Sequence, residues 1–204
     1  MSARLLLVLL LTLAPPWTGA KAEPFCAGEC AVHVFTGTWV NDSMIDIFVH
    51  EGIPPWNWQR RERERITGLA LSRRVGALFG VVDVEPEIGV AHRGGAVDAQ
   101  ELWAAIYFRY DRFPWNDTLH TSVGISTGIN YATRVTELER RRARGSPDGS
   151  RFLHYLSPEL ALAVPERRDL ELVFRFHHRS GGYGLINDTY GGAHYGTAGL
   201  RLRF

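Results

Sequence analysis

Residues 169–180 read DLELVFRFHHRS, and the two faces of this stretch decide the fold. On a strand, side chains two apart share a face. The even positions are Leu170, Leu172, Phe174 and Phe176, followed by His178 and Ser180. The odd positions are Asp169, Glu171, Val173, Arg175, His177 and Arg179. One face is apolar until its end and the other is mostly charged, a period of two rather than the 3.6 of a helix. The pattern recurs upstream. Val82, Val84, Ile88 and Val90 oppose Asp83, Glu85 and Glu87; Leu160, Leu162 and Val164 oppose Glu159, Ala161 and Ala163; Leu102, Ile106 and Phe108 oppose Glu101 and Arg109.

Working outward from these stretches, turn signals delimit eight strands, near 31–40, 66–74, 79–92, 101–111, 119–134, 151–164, 168–180 and 194–204. Eight is the smallest usual number for an antiparallel up-and-down transmembrane β-barrel, and the strands are long enough to cross a bilayer. Alternation alone does not say which face is inside. In a soluble barrel the charges face water; in a membrane barrel they fill the interior and the apolar face meets lipid. The second arrangement requires Glu85, Glu87, Glu159 and Glu171 to pair with Arg109, Arg175, Arg201 and Arg203, because an unpaired buried charge is costly. The links at 41–65, 93–100, 135–150 and 181–193 read as the longer ones, and those at 75–78, 112–118 and 165–167 as the shorter ones. Such asymmetry fits short periplasmic turns and longer outer loops. Residues 42–50 read as a helical turn in the first long loop. The basic run Arg140–Arg144 reads as a solvated loop or as a contact for anionic headgroups. Trp56 and Trp58 read as interface anchors.

Both ends support export to an outer membrane. Arg4, the apolar run 5–14 and the small residues of Ala20-Lys21-Ala22 form a secretory signal peptide, with 1–22 removed and 23–204 left as the barrel domain. The alternation Leu200, Leu202, Phe204 resembles the closing strand of outer-membrane barrels. Charge excludes an electrostatic case for nucleic acid: 23 Lys+Arg stand against 22 Asp+Glu. The two cysteines, Cys26 and Cys30, read as a small local disulfide in an oxidising compartment. No P-loop, dinucleotide fingerprint or metal-ligand spacing occurs, so neither cofactor nor metal is expected.

The residues that point to chemistry are HHRSGGYG, 177–184. His178 and Ser180 share the apolar face and stand where a strand meets a Gly-rich loop. An imidazole beside a serine hydroxyl takes its proton as the oxygen attacks an ester carbonyl. With a periplasmic N-terminus this end of the strand lies at the outer leaflet, where a lipid-facing Ser–His pair meets acyl esters. Polar groups facing lipid are expensive, which favours a functional reason for them.

The H-x-S segment, the Gly-rich loop after it, the export signal and the strand pattern resemble the lipid A 3-O-deacylase family, most strongly over residues 170–204. The resemblance implies a lipid-facing esterase needing no cofactor, with Ser180 as nucleophile, His178 as base, and lipid A of lipopolysaccharide as substrate. Two departures stand out. Gly181 occupies the place of the family's Asn, leaving the Gly181 and Gly182 N–H groups as candidate oxyanion donors. The family's Glu, about twelve residues after the serine, has no counterpart in Gly191-Gly192-Ala193-His194. Asp188 is the nearest carboxylate and is the expected partner of His178; His194, outward on the last strand, is a second possible base. A non-enzymatic barrel with a structural or adhesive role, or a periplasmic lipid-binding barrel with an apolar interior, would need no reactive serine.

Overall fold

A computed structural model describes residues 25–96, 98–143 and 148–204. The signal-peptide reading of 1–22, and Arg144 of the basic run, lie outside the described residues.

The alternating stretches become eight antiparallel strands: β1 (Cys30–Val40), β2 (Arg60–Arg73), β3 (Val82–Gly94), β4 (Ala99–Tyr110), β5 (His120–Ala132), β6 (Phe152–Leu156 and Pro158–Ala163), β7 (Leu170–Ser180) and β8 (Gly192–Arg203). Each strand pairs with the next in the chain. β8 returns to β1 in a ladder from Ala31↔Arg203 to Trp39↔Tyr195, which closes the ring. The two segments of β6 keep one register with β7 across Ser157, from His154↔Ser180 to Leu162↔Leu172. Closure removes the sheet edge, the condition for a β structure to exist in hydrocarbon.

The faces are inside-out relative to a soluble protein. Ile88 on the outer wall is 62% exposed, while Glu85 on the inner wall is 0% exposed. Leu172, Phe174, Leu200 and Leu102 are exposed in the same outward band. This excludes a lipid-binding barrel with an apolar interior and identifies a transmembrane barrel. Inside, the expected charge pairs all form. Glu159 accepts from Arg109 Nε at 2.9 Å, Arg175 Nε at 2.6 Å and Arg201 Nη1 at 2.5 Å. Arg175 also donates to Glu87 at 2.7 Å, Arg201 and Arg203 to Glu171, and Arg203 and Arg109 to Glu85. Toward the outer end an aromatic layer of Phe35, Trp39, Trp103, Tyr155 and Tyr195 fills the bore. The interior is packed and leaves no open channel in this layer, as expected of eight strands.

Three boundaries differ from the sequence reading. β2 begins at Arg60, because Val40↔Arg60 and Trp39↔Arg61 extend the ladder after a register shift at Thr38/Trp39. Residues 60–65 rise beyond the apolar band, so they carry no apolar alternation. The link read at 93–100 shrinks to 95–98. The turn read at 75–78 carries a short hairpin arm, with Gly76–Leu78 paired to Val82–Val84. The basic run starts in a helix, α1 (Glu137–Arg142), built on a capping box in which Thr136 and Glu139 exchange hydrogen bonds. The Glu139 carboxylate also accepts from Arg93 and Arg179, each at 2.8 Å, which seats α1 over the outer mouth of the barrel.

Candidate active site

β7 carries the site because its parity sends His178 and Ser180 outward and His177 and Arg179 inward. His177 lies in the bore, its Nε2 2.9 Å from Glu101 and its Nδ1 3.1 Å from the Tyr155 hydroxyl. The strand ends at Ser180 because the following turn needs left-handed backbone, with φ of +58° at Gly182 and +91° at Gly184.

On the outer face, His178 Nε2 lies 3.0 Å from Ser180 Oγ. The opposite ring nitrogen, Nδ1, lies 2.7 Å from Nδ1 of His194. His194 stands directly across the β7–β8 ladder from His178, and the two rings stack at 4.6 Å with an 18° interplanar angle. Both are largely buried, 6% and 8% exposed. Two imidazole nitrogens at hydrogen-bond distance must share one proton. If His178 is to accept from Ser180 through Nε2, its Nδ1 carries the proton and donates to an unprotonated Nδ1 of His194. Ser180, His178 and His194 therefore form a continuous Oγ–imidazole–imidazole chain.

Asp188 does not take the place expected of it. It is exposed in the turn, at φ +50°, and no hydrogen bond joins it to His178 among the described residues. The nitrogen it was to orient faces His194 instead, because β8 pairs rigidly with β7 at that rung whereas Asp188 belongs to a loop that bends away. The two glycines also part company. The Gly181 N–H donates to the Gly191 carbonyl at 3.2 Å and is committed to closing the loop. The Gly182 N–H points at Ser180 Oγ from 3.4 Å and is the nearer oxyanion donor.

Other neighbours escaped the sequence reading. His154 faces Ser180 from the β6 side, its Nε2 2.9 Å from Thr127 Oγ1. The even-number parity of β6 was the available signal. Phe176, one outward rung below, lies against both histidines, 6.4 Å from the His178 ring and 5.6 Å from the His194 ring. The first outer loop folds down onto it: Trp58 meets Phe176 at 5.4 Å and Phe48 meets it at 5.6 Å, both edge-on. Trp58 is thus packed against the barrel wall rather than standing free as an interface anchor. At the far end of the barrel Cys26 and Cys30 are bonded to each other. Among the described residues no three His, Cys, Asp or Glu side chains cluster as a metal site.

No family model matches the chain, and no curated protein matches it. Among solved structures it is similar to the outer membrane enzyme PagL, with a TM-score of 0.56 and 14% identity over 85% of this chain and 99% of that one. It is also similar to Neisserial surface protein A, with a TM-score of 0.49 and 10% identity over 89% of this chain and 100% of that one. The N-terminal β-barrel of Pseudomonas aeruginosa OprF follows at 0.46 and 9%, over 87% and 98%. At these identities the likeness is one of fold.

Proposed function

We propose that this chain is an exported outer-membrane esterase, akin to the lipid A 3-O-deacylases, that removes an ester-linked acyl chain from lipid A of lipopolysaccharide. The observation that carries this reading is the 3.0 Å approach of His178 Nε2 to Ser180 Oγ on the lipid-facing wall, with His194 behind the base. His178 and His194 are themselves covered by protein, 6% and 8% exposed, and this sheltered pair stands beside the exposed apolar band of the outer wall, where an acyl ester would arrive.

The chemistry follows from the hydrogen bonds. Ser180 Oγ attacks the acyl carbonyl while its proton passes to His178 Nε2. The resulting imidazolium is held by its Nδ1–H donating to His194. The carbonyl oxygen, now an oxyanion, is met by the Gly182 N–H. Collapse expels the sugar alkoxide, which takes the proton from His178. Water, activated by the same nitrogen, then releases the fatty acid and restores Ser180. His194 does for His178 what a carboxylate does in other triads, but without a negative charge, so the imidazolium is less strongly stabilised. A slow enzyme is expected.

The test is the mass of lipid A from cells expressing the native chain and the Ser180→Ala variant, both shown to be folded in the outer membrane. Loss of one acyl mass with the native chain alone is the expected result. Unchanged lipid A in both would favour a non-enzymatic barrel with a structural or adhesive role, a reading drawn from the missing carboxylate.

A further inference from the structure

The first outer loop does more than cap the barrel. Between it and the outer wall lies a groove of about 680 Å³. Its floor is made where the outward side chains of β1 and β8 are small: Thr36 and Thr38 stand opposite Ala198 and Gly196. Phe174 and Phe176 flank this shelf on β7. Trp58 and Phe48 form the wall contributed by the loop. Gly196 is required for this arrangement, because a Cβ there would run into the Trp58 ring. The loop is tied in place: the Trp58 Nε1–H donates to the Ile53 carbonyl at 2.9 Å, and Asn41 and Gln59 join across its base at 2.8 Å.

The position of the groove says what belongs in it. The Phe176↔Gly196 rung lies directly below the His178↔His194 rung on the same outer face. From Ser180 down to the Phe174↔Ala198 rung is six residues of strand, about 20 Å at ~3.3 Å per residue. An ester carbonyl at Ser180 would therefore lead its hydrocarbon tail down this shelf toward the membrane interior. The lining is mostly apolar, broken by the Thr36 and Thr38 hydroxyls on the floor and by Arg60, whose guanidinium lies 5.8 Å from the Trp58 ring. An apolar slot that opens upward on a cation fits a lipid with an acyl tail and an anionic head.

We infer that this groove, walled by Trp58 and Phe48, holds the scissile acyl chain of the substrate and sets which chain lengths are hydrolysed. The inference rests on the esterase reading of Ser180. The loop clasps the chain against the wall, so a long tail gains contacts that free lipid exchange would not give it, and a short tail does not reach them.

The test blocks the shelf about 20 Å below the serine. Ala198→Trp and, on the neighbouring strand at the same rung, Thr36→Trp both add an indole facing lipid, where a barrel tolerates it. Hydrolysis of p-nitrophenyl palmitate and butyrate is compared in detergent. Both variants should lower the palmitate-to-butyrate ratio of kcat/KM at least tenfold relative to the native chain. A second reading needs no turnover. In Ser180→Ala, quenching of Trp58 fluorescence by a bromine-labelled palmitoyl ester, isolated by difference from a Trp58→Phe partner, should saturate and should be lost with Ala198→Trp. An unchanged chain-length ratio, or quenching that never saturates, overturns the groove. Saturable quenching that Ala198→Trp abolishes, in a protein that hydrolyses no ester, would leave the acyl site standing and overturn the esterase.

Discussion

The contact between His178 and His194 determines what each residue of the site is worth. Under the proposed esterase reading, removing the base should be severe: His178→Ala loses general-base assistance of about 10²–10⁴-fold in kcat. Under the same reading His194 acts through His178, its Nδ1 lying 2.7 Å from that of His178, and is a positioning residue. Its loss forfeits one hydrogen bond to a ring that becomes charged, on the order of 2 kcal/mol, or roughly tenfold to a hundredfold in kcat. The discriminating variant is His194→Gln, whose side-chain oxygen still accepts from His178 Nδ1. Steady-state kinetics should show His194→Ala lowering kcat with little change in KM, and His194→Gln recovering part of the loss. Equal loss in both variants would mean that His194 only packs. Ser180 and His178 were legible in the sequence because parity on a strand is a local property. The third residue was legible only in part: His194 reads as outward on the last strand and as a second possible base, not as the partner of His178 Nδ1. Asp188 looked right by chemistry and by distance along the chain, but the loop bends it into solvent, and the partner arrives through strand pairing with β8. Register between strands decides that contact, and periodicity within one strand cannot report it.

At the scale of elements, α1 shows how a short helix is held at a barrel mouth. Six residues cannot sustain a helix by propensity alone. The capping box supplies the start, and the doubly bridged Glu139 supplies the anchor. Two variants separate these contributions. Thr136→Ala removes the cap and should cost about 1 kcal/mol of local stability. Glu139→Ala keeps the Thr136 cap but removes the reciprocal half of the box and the anchor, and leaves Arg93 and Arg179 without that carboxylate, which should cost about 3–5 kcal/mol. Hydrogen exchange over 137–142 should rise modestly in the first variant and strongly in the second, with the barrel strands still protected. Equal exchange in the two would deny Glu139 its anchoring role. Thr136 and Glu139 spell the box in the sequence, yet the basic residues after it drew the reading toward a solvated loop. The first outer loop was less legible still: Trp58 in an aromatic, proline-rich loop reads as an interface anchor, and the missing Cβ at Gly196 across the wall leaves the room in which it lies down.

For the whole molecule, alternation was readable from end to end and predicted the strands to within a few residues in most cases. It could not say which face is inside, because a period of two is the same read from either side. The buried charge network settles that point, and its energetics make the inside-out arrangement measurable. Glu159 sits among three arginines, all buried. Taking it away leaves Arg109 and Arg201 with fewer partners and crowds three buried positive charges, so Glu159→Ala should cost about 3–5 kcal/mol. Its chain neighbour Leu160 points the other way, into lipid or detergent. Leu160→Ala loses the transfer term of the removed atoms but leaves no lasting void, because acyl chains fill the space, and should cost about 1–2 kcal/mol. A soluble barrel would invert this order, with the leucine in a packed core costing about 2–5 kcal/mol and the glutamate, solvated, within about 0.5 kcal/mol of neutral. Denaturant unfolding in detergent micelles, followed by tryptophan fluorescence, compares the two adjacent substitutions directly. A larger loss at Glu159 than at Leu160 is the expected outcome. The reverse order would place the charges in water and, with them, move Ser180 and His178 to the inside of the barrel, away from any membrane lipid.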